Sequence, residues 1–313
     1  MPRLGLGSSL TGGLPPLEDI TSFISTWTVS GDETARTVAL PLVQNNKAGS
    51  ANTINFKIDW GDETAVEEIT AYNHADRTHI YAENGTYTVT MSGTIQGFKF
   101  DNGDHKTKIR TITQWGTFNI TNKHTFWGCS NLNVTATDTP TISSIDLSLT
   151  FRDCAALASI GDANWDTGSV TLMTAMFQSA SIFNQDISGW DVTSLQQMDG
   201  MFYGAADFNQ PIGAWTTTSS LSNLYQSFRG ATDFDQDLSN WVVSGVTGAG
   251  NMFLSANSLS SANWSNFLIR IEATTIKSGV NLHGGDATPT VAGAAARDAL
   301  EGDHSWVIVD GDG

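Results

Sequence analysis

A phenylalanine returns every 25 or 26 residues through the middle of this 313-residue chain. It heads a short motif with a small residue three places on and a large apolar residue six places on. The six copies are Phe126-x-x-Cys129-x-x-Leu132, Phe151-x-x-Cys154-x-x-Leu157, Phe177-x-x-Ala180-x-x-Phe183, Phe202-x-x-Ala205-x-x-Phe208, Phe228-x-x-Ala231-x-x-Phe234 and Phe253-x-x-Ala256-x-x-Leu259. A second marker keeps the same beat, with Trp165, Trp190, Trp215 and Trp241 spaced 25, 25 and 26 apart. A fixed period of this length leaves few architectures open. Each unit is too short to bury its own apolar face, so successive units must stack as coils of a solenoid.

Within one unit, Leu195, Met198 and Met201 recur at i, i+3 and i+6 and predict one face of a short helical turn, continued inward by Phe202, Ala205 and Phe208. Gln185–Ile187 and Trp190–Val192 predict extended segments, with equivalent residues stacked at about 4.8 Å. The sixth unit departs from the others at Leu259–Trp264, as terminal repeats do when they close a stack.

Upstream, residues 20–100 alternate apolar and polar side chains, as in Thr53–Ile58 and Thr86–Thr90, between Gly, Asn and Asp turns. This predicts half-buried strands. Downstream, Ala292–Leu300 predicts an Ala-rich helix and Ser305–Val309 a closing strand, while Asn266–Ile269 fits strand or helix. Residues 1–19 are rich in Gly, Leu, Ser and Pro without periodicity and read as an arm. The fold class expected is mostly β: an Ig-like β-sandwich over 20–100, a leucine-rich-repeat-type solenoid of six coils with short helical segments over 101–264, and a C-terminal cap over 265–313.

Two resemblances sharpen this. Ile58-Asp59-Trp60-Gly61-Asp62, together with His79-Ile80-Tyr81 and the following Gly85-Thr86-Tyr87-Thr88-Val89, resembles the PKD domain, an Ig-like β-sandwich. The tryptophan stands directly before Gly61, one place later than in the commonest form. Phe183-Asn184-Gln185-Asp186-Ile187-Ser188-Gly189-Trp190-Asp191-Val192 and its counterparts resemble the BspA-type leucine-rich repeats of bacterial surface proteins, and the chain's last fifty residues are similar to the tails of such proteins. Both resemblances imply modules used for binding and spacing outside cells.

Charge narrows the partners. The formal net charge is −17, which disfavours phosphate backbones and anionic lipid surfaces. From Phe126 to Trp264 the cations are Arg152 and Arg229, against twelve Asp. No apolar run reaches the roughly 18–20 residues that span a bilayer. Neither nucleic-acid binding nor membrane insertion is expected.

The candidate sites each carry a bland reading beside the sharp one. The tryptophans are a sugar-stacking platform or core. Asn184, Asp186, Asn209, Asp235 and Asp237 are Ca²⁺ ligands or side-chain ladders that satisfy turn backbones, and Pro211 interrupts any carboxylate row. Cys129 and Cys154, at equivalent places in adjacent coils and so about 5 Å apart, are a disulfide or two buried thiols. Asp59 and Asp62 are an acid–base pair or a turn. His74, His79, His105, His124, His283 and His304 lack metal-ligand spacing, and no nucleophile triad, P-loop or dinucleotide fingerprint is present.

The expectation is therefore a non-enzymatic protein with no cofactor and no catalytic or metal residues. The position one after each Phe differs in every coil (Trp127, Arg152, Gln178, Tyr203, Arg229, Leu254), as where packing does not dictate the residue. Gln178, Tyr203 and Arg229 are the expected surface-binding residues. The arm, with no apolar secretory segment ahead of the strands, points to a bacteriophage virion protein: a tail fibre or receptor-binding protein, or a capsid decoration protein. Its partners would be other virion proteins through the arm, a host-surface glycan or protein, and further copies of itself. The alternative is a secreted bacterial adhesin of the BspA type.

Overall fold

The structure is a computed structural model that describes residues 20–44, 54–274 and 277–311. The arm expected at 1–19, with its docking role, lies outside these residues. The chain is mostly β, with its two longer helices confined to the C-terminal end.

Strands come first. They are β1 (Phe23–Val29), β2 (Thr37–Ala39), β3 (Asn55–Asp59), β4 (Glu67–Ile69), β5 (Thr78–Ile80), β6 (Gly85–Thr94), β7 (Ile109–Gln114), β8 (Asn119–Ile120), β9 (Asn133–Val134) and β10 (Thr141–Ile142). A four-residue helix, α1 (Glu33–Arg36), precedes β2. In β1 the period of two is plain: Phe23, Ser25, Trp27 and Val29 are buried and the residues between them are not. The main sheet runs β4-β3-β6-β1-β7-β9. Its first pairings are antiparallel, with Trp27 opposite Tyr87 and Ile58 opposite Met91. The last, β7 with β9, is parallel.

The expected boundary at residue 100 falls within this sheet, because β7 pairs with β1 as well as with β9. The sheet passes into the repeats without a break, through β7 to β9 and on to a parallel bridge between Val134 and Ile160. One hydrophobic core runs through both parts. The repeat itself begins one unit earlier than the sequence pattern suggests. Phe100 stands 26 residues before Phe126, and the two rings lie 6.0 Å apart. Its backbone behaves as a coil should. Phe100 N–H donates to Thr125 O, and Gly103 N–H to Phe100 O, just as Cys129 N–H donates to Phe126 O. Gly103 thus fills the small-residue place and Lys106 the place of the large apolar residue. Lys106, at the end of the stack, has no preceding coil to pack against.

The expected helical turn around Leu195, Met198 and Met201 is a run of tight turns, although all three side chains are buried as predicted. The reason lies in the backbone. The residues two before and two after each repeat Phe have positive φ: His124 and Gly128, Leu149 and Asp153, Ala175 and Ser179, Gly200 and Gly204, Gln226 and Gly230, Asn251 and Ser255. A left-handed residue every few places prevents right-handed winding. It also turns alternate N–H groups out along the stack. From Phe126 to Phe228 each coil donates three N–H groups to the next, from the Phe and from both flanking residues. In the fourth coil these are Gly200 to Tyr225 O (2.8 Å), Phe202 to Ser227 O (2.9 Å) and Gly204 to Arg229 O (2.8 Å). Other rungs run the opposite way, as where Thr171 N–H donates to Ile145 O, Gln196 N–H to Thr171 O and Ser222 N–H to Gln196 O. Gln185–Ile187 and Trp190–Val192, predicted extended, form no strand; parallel bridges link the coils instead at Asp146, Leu172, Gln197, Asn223 and Gly248.

The cap starts at Ser261, within the stretch assigned to the sixth coil, because Ser260 caps a helix there by accepting from Asn263 N–H. Helix α2 (Ser261–Glu272) settles the ambiguity at 266–269 and buries Trp264, Phe267, Leu268 and Ile271. Strand β11 (Asn281–His283), helix α3 (Val291–His304) and strand β12 (Val307–Val309) follow. β11 takes the next rung, accepting Phe253 N–H at His283 O. The phenylalanine place is then Gly284, where a Cβ would lie 2.5 Å from the Trp264 ring. The column of rings ends because a tryptophan lies across it. Arg297 fastens the end by donating to both oxygens of buried Asp310 at 3.2 Å.

Candidate recognition surface

Most polar groups that could do chemistry in this chain are already engaged in holding coils together. Asn184 Oδ1 accepts from Asn209 N–H (3.0 Å) and Gln210 Nε2 (2.7 Å). Asn209 Oδ1 accepts from Asp235 N–H (3.0 Å) and Gln236 Nε2 (2.6 Å), and Asp235 Oδ1 from Ser260 N–H (2.8 Å). This is the ladder reading: each oxygen satisfies a backbone group one coil on. Asp186, Asp191 and Asp237 close local turns, accepting from Ser188, Thr193 and Ser239 N–H. Hydrogen bonds from Ser188 and Thr193 hold the Asp186 and Asp191 carboxyls below their ordinary range. Among the described residues no group of three His, Cys, Asp or Glu side chains could hold a metal ion.

The tryptophan column is core. Trp165, Trp190, Trp215 and Trp241 are all buried. Trp190, Trp215 and Trp241 donate their indole N–H to Ala163, Ile187 and Ile212 carbonyls at 2.9–3.0 Å. No ring face is left for a sugar. Cys129 and Cys154 are free buried thiols, and burial pushes both well above the usual thiol range, against nucleophilic use.

In the N-terminal strand region, Asp59 Oδ1 accepts from Gly61 N–H at 2.8 Å, the turn predicted for it. Asp62 does more than the sequence suggests. One oxygen accepts from the Thr64 hydroxyl (2.6 Å) and the other meets His79 Nε2 (2.8 Å). The imidazole lies flat on Trp60 at 4.9 Å, and Tyr81 donates its hydroxyl proton to Trp60 O at 3.0 Å. Desolvation pushes the Asp62 carboxyl up, but the hydrogen bonds from Thr64 and His79 outweigh it and leave it below its ordinary value. The side chains of Asp62 and His79 are only 12% and 11% exposed, so the pair locks the turn and faces no open cleft.

The column one residue after each phenylalanine is less committed, although Trp127 donates its indole N–H to Asp153 at 2.9 Å and Arg152 pairs with the same carboxylate. The column's carbonyls are taken by the preceding coil: Asp153 N–H donates to Gln178 O, Ser179 to Tyr203 O and Gly204 to Arg229 O, at 2.7–2.8 Å. Held at one backbone position per coil, the side chains of Trp127, Arg152, Gln178, Tyr203, Arg229 and Leu254 form a file along the stack. All six are half-exposed rather than open to solvent. Two pairs lean on each other. The Arg152 guanidinium lies 5.2 Å from the Trp127 ring centre, and Arg229 lies 5.3 Å from that of Tyr203. Contacts of this kind fix a long side chain at little cost. So Tyr203 and Arg229, chosen only for their variability, stand together as one pair, with Gln178 one coil before. The residue sequence reasoning missed is Tyr225, which is 45% exposed. It lies three places before its phenylalanine, a position also variable from coil to coil.

This arrangement defines a class: a repeat scaffold whose internal positions are fixed and whose outer file is free to vary. Residues 145–267 match a family model described as "Mycoplasma protein of unknown function, DUF285". The matched stretch takes in the phenylalanines from Phe151 to Phe253 and ends in α2. No curated protein and no solved structure matches the chain.

Proposed function

We propose that this chain is a non-enzymatic surface-recognition protein, in which a PKD-like, Ig-type sandwich carries a BspA-type leucine-rich-repeat solenoid and the file of residues after each phenylalanine meets the partner. The observation that supports it is the division of labour in each coil. Asn, Asp, Gln and Trp groups that could otherwise bind or react are tied to neighbouring backbones, while the file from Trp127 to Leu254 is free of any packing rule. The Asp62–His79 pair and the two thiols, which an enzyme would use, are engaged or buried.

The similarity of 145–267 to a Mycoplasma family favours a bacterial surface setting, the adhesin reading. The virion reading, as tail fibre or capsid decoration, is supported by the Gly- and Leu-rich arm of residues 1–19, suited to docking on a particle. Both place the file outward. The test is adhesion of the full chain to intact bacterial and epithelial cells. Tyr203→Ala with Arg229→Ala should cut adhesion several-fold and leave the melting temperature within about 2 °C of wild type, since half-exposed residues contribute little to stability. Unchanged adhesion at unchanged stability would overturn the proposal.

A further inference from the structure

A cleft beside α1 brings charges of both signs together without pairing them. It has a volume of about 620 Å³, and its walls include Glu33, Thr37, Asp104, His105 and Lys108. Cavities of roughly 300–1,000 Å³ take small molecules, and they gather where structural parts meet. This cleft spans such a join. Helix α1 belongs to the N-terminal strands, and residues 104–108 belong to the first coil, after Phe100.

Lys108 Nζ donates to Thr37 O, which fixes the ammonium and leaves its other N–H groups to the cleft. Among the described residues Lys108 forms no ion pair, and neither do Glu33 and Asp104. Both acidic residues are exposed, whereas His105 and Lys108 are half-buried, so negative charge stands at the rim and the cation further in. His105 points the same way. Its Nδ1 is buried and has no hydrogen-bond partner within the chain, a costly state for a polar atom. Burial, and then the Lys108 ammonium beside it, hold the imidazole below its ordinary value, so it is neutral near pH 7. Burial also pushes the Lys108 ammonium down, although Asp104 opposes the shift; an anion beside it would oppose it further.

The lining decides between ligand classes. Two carboxylates oppose a plain anion, and Lys108 opposes a plain cation. A neutral polyol would leave the half-buried ammonium without a counter-charge. A ligand with an ammonium at one end and a carboxylate at the other meets both signs at once. We propose that this cleft binds a short zwitterion, a free amino acid or a short peptide, with its carboxylate on Lys108 and its ammonium on Asp104 and Glu33. His105 Nδ1 is then the partner for a polar group between the two ends. The cleft shares no residue with the outer file, so this inference and the surface-recognition reading stand or fall separately.

The probes are L-alanyl-L-alanine, its N-acetyl form, its C-terminal amide and L-alanine, titrated separately into the full chain and followed by NMR shift changes. The free dipeptide should bind at least ten-fold more tightly than either blocked form. Tighter binding of alanine than of the dipeptide assigns a single amino acid, and the reverse assigns a peptide. Lys108→Gln should erase the gap between the dipeptide and its amide, and Asp104→Asn should shrink the gap to the N-acetyl form. Melting curves of each variant show whether the fold is intact. Equal binding of free and blocked dipeptides overturns the inference, as does a gap to the amide that survives in Lys108→Gln. So does the absence of shift changes with both alanine and the dipeptide at millimolar concentration. If Lys108→Gln fails to fold, Asp104→Asn at its exposed, unpaired position decides alone: an undiminished gap to the N-acetyl form overturns the inference.

Discussion

Phe100 is the residue at which the N-terminal sheet and the stack are joined, and its removal measures whether they are one folding unit. The ring is buried and lies 6.0 Å from Trp27 on the N-terminal sheet side and 6.0 Å from Phe126 on the stack side. Truncating a buried phenylalanine costs about 3–5 kcal/mol. Each aromatic contact adds about 0.5–1.5 kcal/mol beyond area, so Phe100→Ala belongs in the upper half of that range. For a chain of this size that is a fall in melting temperature on the order of 10 °C. Phe126→Ala should cost a similar amount. Because the two rings touch, the double variant should lose less than the sum, by about 1 kcal/mol. Calorimetry with tryptophan fluorescence reads both numbers. In wild type one transition should be seen by both probes, and in Phe100→Ala it should shift as a whole. Strict additivity of the two truncations, or a shift confined to one of two separate transitions, would refute the claim that Phe100 heads the first coil.

Two further outcomes follow from the hydrogen bonds. Asn209→Ala leaves Asp235 N–H without its acceptor and the Gln236 amide with only the Asn209 backbone carbonyl, and should cost about 1–3 kcal/mol by chemical denaturation. Asn209→Asp keeps the oxygen, as Asp235 does one coil on, and should stay near wild type at neutral pH; equal losses in the two variants would sink the ladder reading. For Asp62, the folded carboxyl sits below its ordinary value of 3.8, so it contributes stability above that value and loses it as pH falls through the folded value. The melting gap between wild type and Asp62→Asn should hold from neutral pH down to about 5 and close towards about pH 2; a gap constant across that range contradicts the assignment.

The architecture was legible where one residue type does one job in every coil. Phe, the small residue after it and Trp are fixed by burial, so their period survives in the sequence. The first coil was hidden because its distinguishing places hold Gly103 and Lys106, which packing allows there only at the end of the stack. The left-handed positions were hidden for another reason. Their conformation is enforced by hydrogen bonds between coils, so they hold Leu149, Ala175 or Gln226 as readily as Gly200. A local reading of Leu195, Met198 and Met201 then finds a helix, because the spacing is helical and the interruption has no signature. The recognition surface was half legible. Variability singled out Tyr203 and Arg229, but their pairing depends on which coil leans on which.

Because the same set of backbone hydrogen bonds joins coil to coil from Phe126 to Phe228, the fittings at a coil's two ends are those of its neighbours. A coil can be duplicated or deleted without disturbing the bonds on either side. Lineages carrying this unit should therefore differ in reach by whole steps of about 4.8 Å, each adding one more freely chosen residue to the outer file. Growth belongs in the interior, between the N-terminal sheet that meets the first coil and the helical cap that covers the last.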